Sequence, residues 1–370
     1  MNILQVSKYY YPTIGGVEDV VQTIAEGLSQ SQWTVRVLTS REFGIGYSND
    51  VNDISVYRTS SLGELMSVPI APAFPLRIYQ HTDWADIVHL HLPNPLSVVS
   101  QTIADPSSSK LIATYHSDIV KQRSAAKFYR PLLDSFLART DRIIVTSPSL
   151  LEHSKVLAPY RDKCEIVPPT VDLDAIDRLD ALSSDEILVD RGAVILFVGR
   201  LVYYKGLEHL IDAMKNVDAT LLVAGSGPRR AALVKQAKNE GVANRVRFLG
   251  RITDDRLHQL YEQADVFVLP SVEPSEAFGI VQLEAMAHET PVINTSLPTG
   301  VPWVSKDGET GLTVPPRDSS ALSKAINELL SNPDRRRELG RNGRRRVQRH
   351  FTHEVATSKV EQIYCDVFGN

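Results

Sequence analysis

Short, continuously apolar runs rich in β-branched residues alternate along this chain with longer stretches of helical periodicity. The alternation occurs twice. In the first half the predicted strands are Ile3–Val6, Thr34–Thr39, Asp86–His91, Lys110–His116 and Arg142–Ser147. In the second half they are Val194–Gly199, Ala219–Gly225, Arg245–Gly250, Asp265–Pro270, Pro291–Thr295 and Gly311–Val314. Runs such as Val194-Ile195-Leu196-Phe197-Val198 have no polar face, as expected of parallel strands covered on both sides. Strands alternating with helices give a doubly wound parallel sheet. Two such sets predict an α/β protein of two Rossmann-like domains facing a central cleft, residues 1–170 and 171–351. Prolines interrupt the pattern at Pro168-Pro169-Thr170-Val171-Asp172, where a hinge is expected. A last helix is expected from Thr352 to Phe368.

Composition narrows the function. The chain has 370 residues, 43% of them hydrophobic, and a formal net charge of −4. That balance gives no global electrostatic support to nucleic-acid binding. The two cysteines, Cys164 and Cys365, stand outside any metal-ligand spacing and fit free thiols in a reducing compartment. The start, Met1-Asn2-Ile3-Leu4-Gln5-Val6, reads as a strand and not as a signal peptide. No apolar run approaches the roughly 20 residues that span a bilayer. The expected setting is cytoplasmic, at most peripheral at the inner face of a membrane.

In open α/β sheets ligands bind at the carboxyl ends of strands, and the chemistry of this chain gathers there. Gly15-Gly16 follows the first strand and opens a helix. It serves either as a tight turn or as a place where backbone N–H groups approach a phosphate. Arg200 and Lys205 follow Val194–Gly199, before a helix expected over Gly206–Val217. Two cations beside a positive helix end fit a bound diphosphate, although each alone also fits a solvated loop. Gly225-Ser226-Gly227 begins like a dinucleotide fingerprint, but Arg230 occupies the third small-residue position, which argues against a nicotinamide cofactor. His89, His91 and His116 lie on predicted strands. His89 and His91 share a face, but no third ligand has metal-site spacing, so no metal is expected. His116, followed by Ser117-Asp118, is the histidine best placed to meet a substrate.

The segment Ser275-Glu276-Ala277-Phe278-Gly279-Ile280-Val281-Gln282-Leu283-Glu284 carries most information. Glu284 stands in a helix that is apolar nearly all round, where an unpaired charge is costly. With Glu276 it brackets a helix N-terminus, which favours an anion. Two hydroxyl acceptors beside such an end point to a nucleotide sugar. Two basic segments stand apart. One is 118–142, with Lys121, Arg123, Lys127, Arg130, Arg139 and Arg142 among aromatic and leucine residues; the other runs from Arg335 to Arg349. Either reads as a solvated helix face or as attraction to anionic lipid, and the second also as attraction to a phosphate-bearing acceptor.

Taken together, Gly15-Gly16, Gly199-Arg200, Lys205-Gly206 and the glutamate pair around Phe278-Gly279 resemble glycosyltransferase family 4, the retaining nucleotide-sugar transferases of GT-B fold. The resemblance covers essentially the whole chain. It implies an N-terminal acceptor-binding domain, completed by the helix at 352–370, and a C-terminal donor-binding domain. It implies that Arg200 and Lys205 bind the donor diphosphate, that Glu276 holds hydroxyls of the transferred sugar and that Glu284 holds the ribose. Gly16, with Gly15, Gly199 and Gly225, and the backbone of Phe278, Gly279 and Ile280 would line the donor; His116 would stand beside the reacting sugar, with Asp118 on the acceptor side. Two departures are Pro169-Thr170 in place of an asparagine-glycine linker turn, and Ala277 at a frequent glycine.

The expectation is a retaining, metal-independent hexosyltransferase without cofactor. Its donor would be a UDP-hexose ahead of GDP-mannose. Its acceptor would be a saccharide, carried on a polyprenyl diphosphate lipid or soluble, in surface polysaccharide or glycolipid synthesis. A nucleotide-sugar epimerase and a non-catalytic sugar-nucleotide-binding protein of similar fold remain as alternatives.

Overall fold

The computed structural model describes residues 1–13, 15–104, 109–119, 123–180 and 192–369. The chain divides into two compact units, Met1–Pro169 with His353–Asn370, and Thr170–Thr352. Each is built on one large sheet.

In the first unit the strands are β1 (Asn2–Val6), β2 (Thr34–Ser40), β3 (Tyr47–Val51), β4 (Ile54–Thr59), a short hairpin of β5 (Glu64–Leu65) and β6 (Val68–Pro69), then β7 (Ile87–Leu92), β8 (Lys110–Tyr115), β9 (Arg142–Val145) and β10 (Cys164–Ile166). The eight-stranded sheet has the order β10-β9-β8-β7-β1-β2-β4-β3. All its neighbours are parallel except β3 and β4. Chain order reverses between β1 and β7, which makes that gap the switch point of the sheet.

Side chains of each strand alternate between two cores. Leu4, Val88, Leu90 and Ala113 pack with Phe74, Ile78, Val98 and Leu137 on one face. Ile3, Val37, Ile87 and Ile112 pack on the other, against Ile24 and Leu28 of helix Gly16–Ser29 and Val360, Ile363 and Tyr364 of helix His353–Gly369. These two helices cross closely. A Cβ on Gly27 would lie 2.2 Å from Thr357 Oγ1, so only glycine permits the approach. Trp33 seals the end, with its Nε1–H donating to Glu361 (3.1 Å) and its ring edge-on to Tyr364.

The second unit contains β11 (Val194–Val198), β12 (Thr220–Ala224), β13 (Val246–Gly250), β14 (Val266–Val268), β15 (Val292–Thr295) and β16 (Gly311–Val314). They form a parallel sheet in the order β13-β12-β11-β14-β15-β16, with the switch point between β11 and β14. Ile195 and Phe197 face Leu210, Ile211 and Ile326, whereas Leu196 and Val198 face Tyr261, Leu283 and Met286. The expected helix Gly206–Val217 is broken: the α-helix spans Leu207–Ala213 and 3₁₀ turns cover Tyr203–Lys205 and Met214–Asn216.

The arginine-rich helix Pro333–His350 is solvated on one side, where Arg337, Arg341, Arg345 and Arg349 are exposed, and pairs with the unit on the other. Arg336 pairs with Asp265 at 2.9 Å, Arg344 pairs with Asp177, and Arg346 donates to the carbonyls of Trp303 and Val304. Among the described residues no helix is long and apolar enough to cross a membrane.

The C-terminal helix is integral to the first unit. Ile363→Ala, which opens the core beneath it, is expected to lower stability by about 2–4 kcal/mol in urea denaturation followed by Trp33 fluorescence.

Candidate active site

In the second unit the loops after β11 and β14 meet across the switch point. Val272 N–H donates to the Tyr204 carbonyl at 2.8 Å, which ties the two loops together. Gly206 adopts φ 65° between the 3₁₀ turn and the helix, with Pro270 O 2.1 Å from where a Cβ would stand. Beside it the Lys205 ammonium lies 2.6 Å from Glu276 Oε2. Lys205 is 8% exposed and Glu276 7%. An ion pair this far from water needs further hydrogen bonds to offset lost hydration. Ser271, three residues past β14, donates one to the same Oε2 at 2.9 Å. Glu276 Oε1 accepts from no protein group among the described residues. The expected division of labour between cations and glutamates is therefore incomplete: Lys205 is already engaged with Glu276. Arg200 is exposed and has no side-chain partner among the described residues, so its charge is unspent.

Glu284 lies in the first turn of helix Val281–Ala287. Gln282, Leu283, Ala285, Met286 and Ala287 are buried, whereas Ile280, Val281 and Glu284 form a partly exposed stripe. Glu284 is itself only half-buried, but its carboxyl has lost hydration as the apolar surroundings predict. Tyr261, from helix Asp254–Gln263, donates to its Oε2 at 2.6 Å and leaves Oε1 without a protein partner among the described residues. Loss of hydration pushes the Glu284 carboxyl above its ordinary range, and Asp254 adds to the effect; the Tyr261 hydrogen bond and the Lys205 charge oppose it. His288 stacks on Tyr261 and holds the Glu284 carbonyl at 2.7 Å, steadying the same turn.

Phe278 turns its ring inward, edge-on to Trp303 and Phe351, so only its backbone borders the loop. Gly279 has φ 75°. Gly225 has φ 135°, and a Cβ there would stand 2.0 Å from Gly199 O. The turns after β11 and β12 thus touch backbone to backbone. Gly199 itself borders the Lys205 side chain, its Cβ position 3.4 Å from Cε.

In the first unit Gly15 precedes the helix with φ 179°, which is extended backbone open to any residue, so the turn is not explained by a left-handed conformation. A Cβ there would stand 2.4 Å from Glu18 Oε2, the movable end of a side chain, so space restricts this position only weakly. Gly16 is exposed at the first helical position. His116 follows β8 and is buried, its Nε2 3.1 Å from His91 Nδ1. Burial pushes His116 down to about 4 and His89 to about 3, and His91 well below 6.5, so all three rings are neutral at pH 7. They bond to each other and to their neighbours, and among the described residues no group of three or more metal-binding side chains occurs. Asp118 accepts from Tyr115 and Ser154, both at 2.8 Å, which anchors its loop. Of the basic segment at 118–142, residues 120–122, with Lys121, lie outside the described residues, as do the side chains of Arg123 and Lys127. Arg130 pairs with Asp134 at 2.7 Å on its own helix.

Ser271 and Tyr261, the two residues that aim the glutamates, were not singled out from sequence. Ser271 had a signal: it is a hydroxyl directly after an apolar strand, five residues before Glu276. Tyr261 sits in an ordinary amphipathic helix and had none.

Known proteins match this arrangement along the whole chain. Residues 14–175 match the family model described as Glycosyltransferase Family 4, and residues 181–346 match Glycosyl transferases group 1. O-antigen chain mannosyltransferase C of Escherichia coli is 34% identical over 98% of each chain. D-rhamnosyltransferase WbpZ of Pseudomonas aeruginosa is 33% identical over 95% of this chain and 92% of its own. The solved sucrose-phosphate synthase of Thermosynechococcus elongatus superposes with a TM-score of 0.80 at 26% identity, over 100% of this chain and 99% of that one. The protein belongs to glycosyltransferase family 4 and has the GT-B fold. It is a glycosyltransferase.

The raised Glu284 carboxyl makes a prediction whose sign follows from linkage. A carboxyl held above its unfolded value favours the fold only while protonated, and that contribution is lost as pH rises through the folded value. Glu284→Gln is therefore expected to raise the melting temperature at pH 7, with the gain shrinking to nothing as pH falls below the range of ordinary glutamates. Thermal denaturation across that pH range reads both.

Proposed function

We propose that the protein moves a hexose of manno configuration from a nucleoside diphosphate sugar to a hydroxyl of a saccharide acceptor, retaining the anomeric configuration. The observation that carries this reading is the shared geometry of the two glutamates. Each has one oxygen fixed by the protein, Glu276 by Lys205 and Ser271 and Glu284 by Tyr261, and one left open. Two preset acceptors of that kind suit hydroxyl groups, those of the hexose at Glu276 and those of the ribose at Glu284. The backbone at Gly199, Gly225, Phe278, Gly279 and Ile280 borders the donor. Mannose and D-rhamnose share the axial C2 hydroxyl. The names of the two relatives therefore favour GDP-mannose over the UDP-hexose expected from sequence.

When the donor bond breaks, negative charge develops on the leaving diphosphate. Arg200 brings an uncompensated charge, and Lys205 is drawn from its pair with Glu276 towards the phosphate, so that the ammonium bridges carboxylate and phosphate. These two cations do the work a divalent metal does in other transferases, so no metal or cofactor is assigned. The departing phosphate oxygen takes the proton of the acceptor hydroxyl on the same face, which gives retention. Neutral His116 supplies a hydrogen bond beside the hexose, and Asp118 steadies the loop on the acceptor side. The acceptor is a saccharide on a lipid diphosphate, met by a peripheral protein at the cytoplasmic face of the membrane. The name of the O-antigen relative supports a surface-polysaccharide acceptor.

The joint Arg200→Ala and Lys205→Ala variant should lose on the order of 10²–10³ in kcat. Near-normal transfer by that variant would refute the roles given to both cations. Calorimetry with GDP-mannose, UDP-glucose and ADP-glucose should give tight binding for the first alone, and Glu284→Ala should weaken it by about 1.5–3 kcal/mol. The anomeric coupling in the NMR spectrum of the product tests retention, and unchanged turnover in EDTA tests independence from metal.

A further inference from the structure

A row of buried polar side chains crosses the first sheet beneath the C-terminal helix. Gln5 of β1, His89 and His91 of β7, Thr114 of β8 and the following His116 alternate onto the face covered by that helix, with Gln5 in register with His89 and His91 with Thr114. Five hydrogen bonds link them in one line. Thr114 Oγ1 is 2.7 Å from His89 Nε2, and His89 Nδ1 is 2.6 Å from the Tyr364 hydroxyl. Gln5 Nε2 donates to that hydroxyl at 3.1 Å. Gln5 Oε1 is 2.7 Å from His91 Nε2, and His91 Nδ1 is 3.1 Å from His116 Nε2. All six residues are buried.

Each proton in this line follows from the one before. The Gln5 amide nitrogen faces Tyr364, so its carbonyl faces His91 and can only accept. His91 therefore carries its proton on Nε2. A neutral imidazole has one N–H, so His91 Nδ1 is a lone pair and must receive a proton from His116. That places the His116 proton on Nε2 and leaves Nδ1 as an acceptor. On the other branch the Tyr364 hydroxyl, already accepting from Gln5, donates its hydrogen to His89 Nδ1, and His89 Nε2–H donates to Thr114. Rotating the Gln5 amide by half a turn would reverse every donor and put the His116 proton on Nδ1.

We propose that Gln5 and Tyr364 are positioning residues that fix His116 as the Nε2–H tautomer, presenting Nδ1 as a hydrogen-bond acceptor to a sugar hydroxyl. The catalytic half of this statement rests on the role given to His116 above; the tautomer does not. The depressed basicity of all three imidazoles keeps the row neutral, which the one-proton argument requires. Tyr364 reaches His116 only through two other side chains, so a residue on the last helix acts on the ring at the end of β8 without touching it.

Long-range proton–nitrogen NMR spectra of protein labelled with ¹⁵N-histidine test this directly, with His89→Gln, His91→Gln and His116→Gln used for assignment. In the native protein His116 should show a proton on Nε2 and none on Nδ1. Finding it on Nδ1 overturns the proposal. Tyr364→Phe removes one link with little change in shape, and Gln5→Leu removes the pivot. Either should give His116 a mixture of tautomers and lower kcat about tenfold, the loss of roughly one hydrogen bond, with the KM for donor unchanged. Thermal melts confirm that each variant is folded; if one is not, the other and the native spectrum still decide. An unchanged tautomer in folded variants also overturns the proposal. A changed tautomer with unchanged transfer keeps the row intact and removes His116 from the reaction.

Discussion

Two opposite charges almost sealed from water, Lys205 and Glu276, set the shape of the second unit where its sheet changes direction. Water normally stabilises such groups by far more than they stabilise each other, so the pair survives only because its geometry is close and Ser271 adds a third contact. The glycines around it follow from that requirement. Gly206 lets the loop turn back under Pro270, and Gly225 lets the neighbouring turn lie against Gly199. A side chain at either place would push the two loops apart and let water in. The same closeness leaves each glutamate with one oxygen committed and the other available, which makes the arrangement a receptor and not merely a brace.

The first unit solves the corresponding problem without charge. At its own switch point, between β1 and β7, the polar groups are neutral rings, an amide and hydroxyls. Neutral partners avoid the cost of burying ions, but they bring a different constraint: every donor needs an acceptor, so one misplaced proton disturbs the whole row. Charge gives strength in one unit, and proton order gives direction in the other.

Much of this was legible in the sequence. Strands such as Val194–Val198 are buried on both faces, and an unbroken apolar run says so. β3, β4, the short hairpin β5–β6 and β10 were not found. β3, Tyr47-Ser48-Asn49-Asp50-Val51, lies at the edge of the sheet and is almost wholly exposed, so no apolar pattern marks it. β4 alternates, but its neighbour gave no context. Arg200, Lys205, Glu276 and Glu284 could be read because charges are conspicuous among apolar residues. Gln5 was equally conspicuous, a polar amide inside Ile3-Leu4-Gln5-Val6, yet its meaning depended on Tyr364, 359 positions away. Tyr261 and the structural arginines at 336, 344 and 346 were hidden for the same reason. Their roles depend on partners distant in sequence, and helical periodicity records only which side of a helix they occupy.

The return of the chain to its first unit has a consequence for synthesis. Helix His353–Gly369 leaves the ribosome only after all of Thr170–Thr352 has been made, a delay on the order of ten to forty seconds at ordinary elongation rates. During that time the face of the first sheet at Ile3, Ile87 and Ile112 is covered by helix Gly16–Ser29 alone, without Val360, Ile363 and Tyr364, and the histidine row lacks its tyrosine. The first unit is thus begun before the second and finished after it. A nascent chain stalled before residue 353 would display a greasy, half-clad sheet, which is the kind of surface that trigger factors and other ribosome-associated chaperones are built to shield.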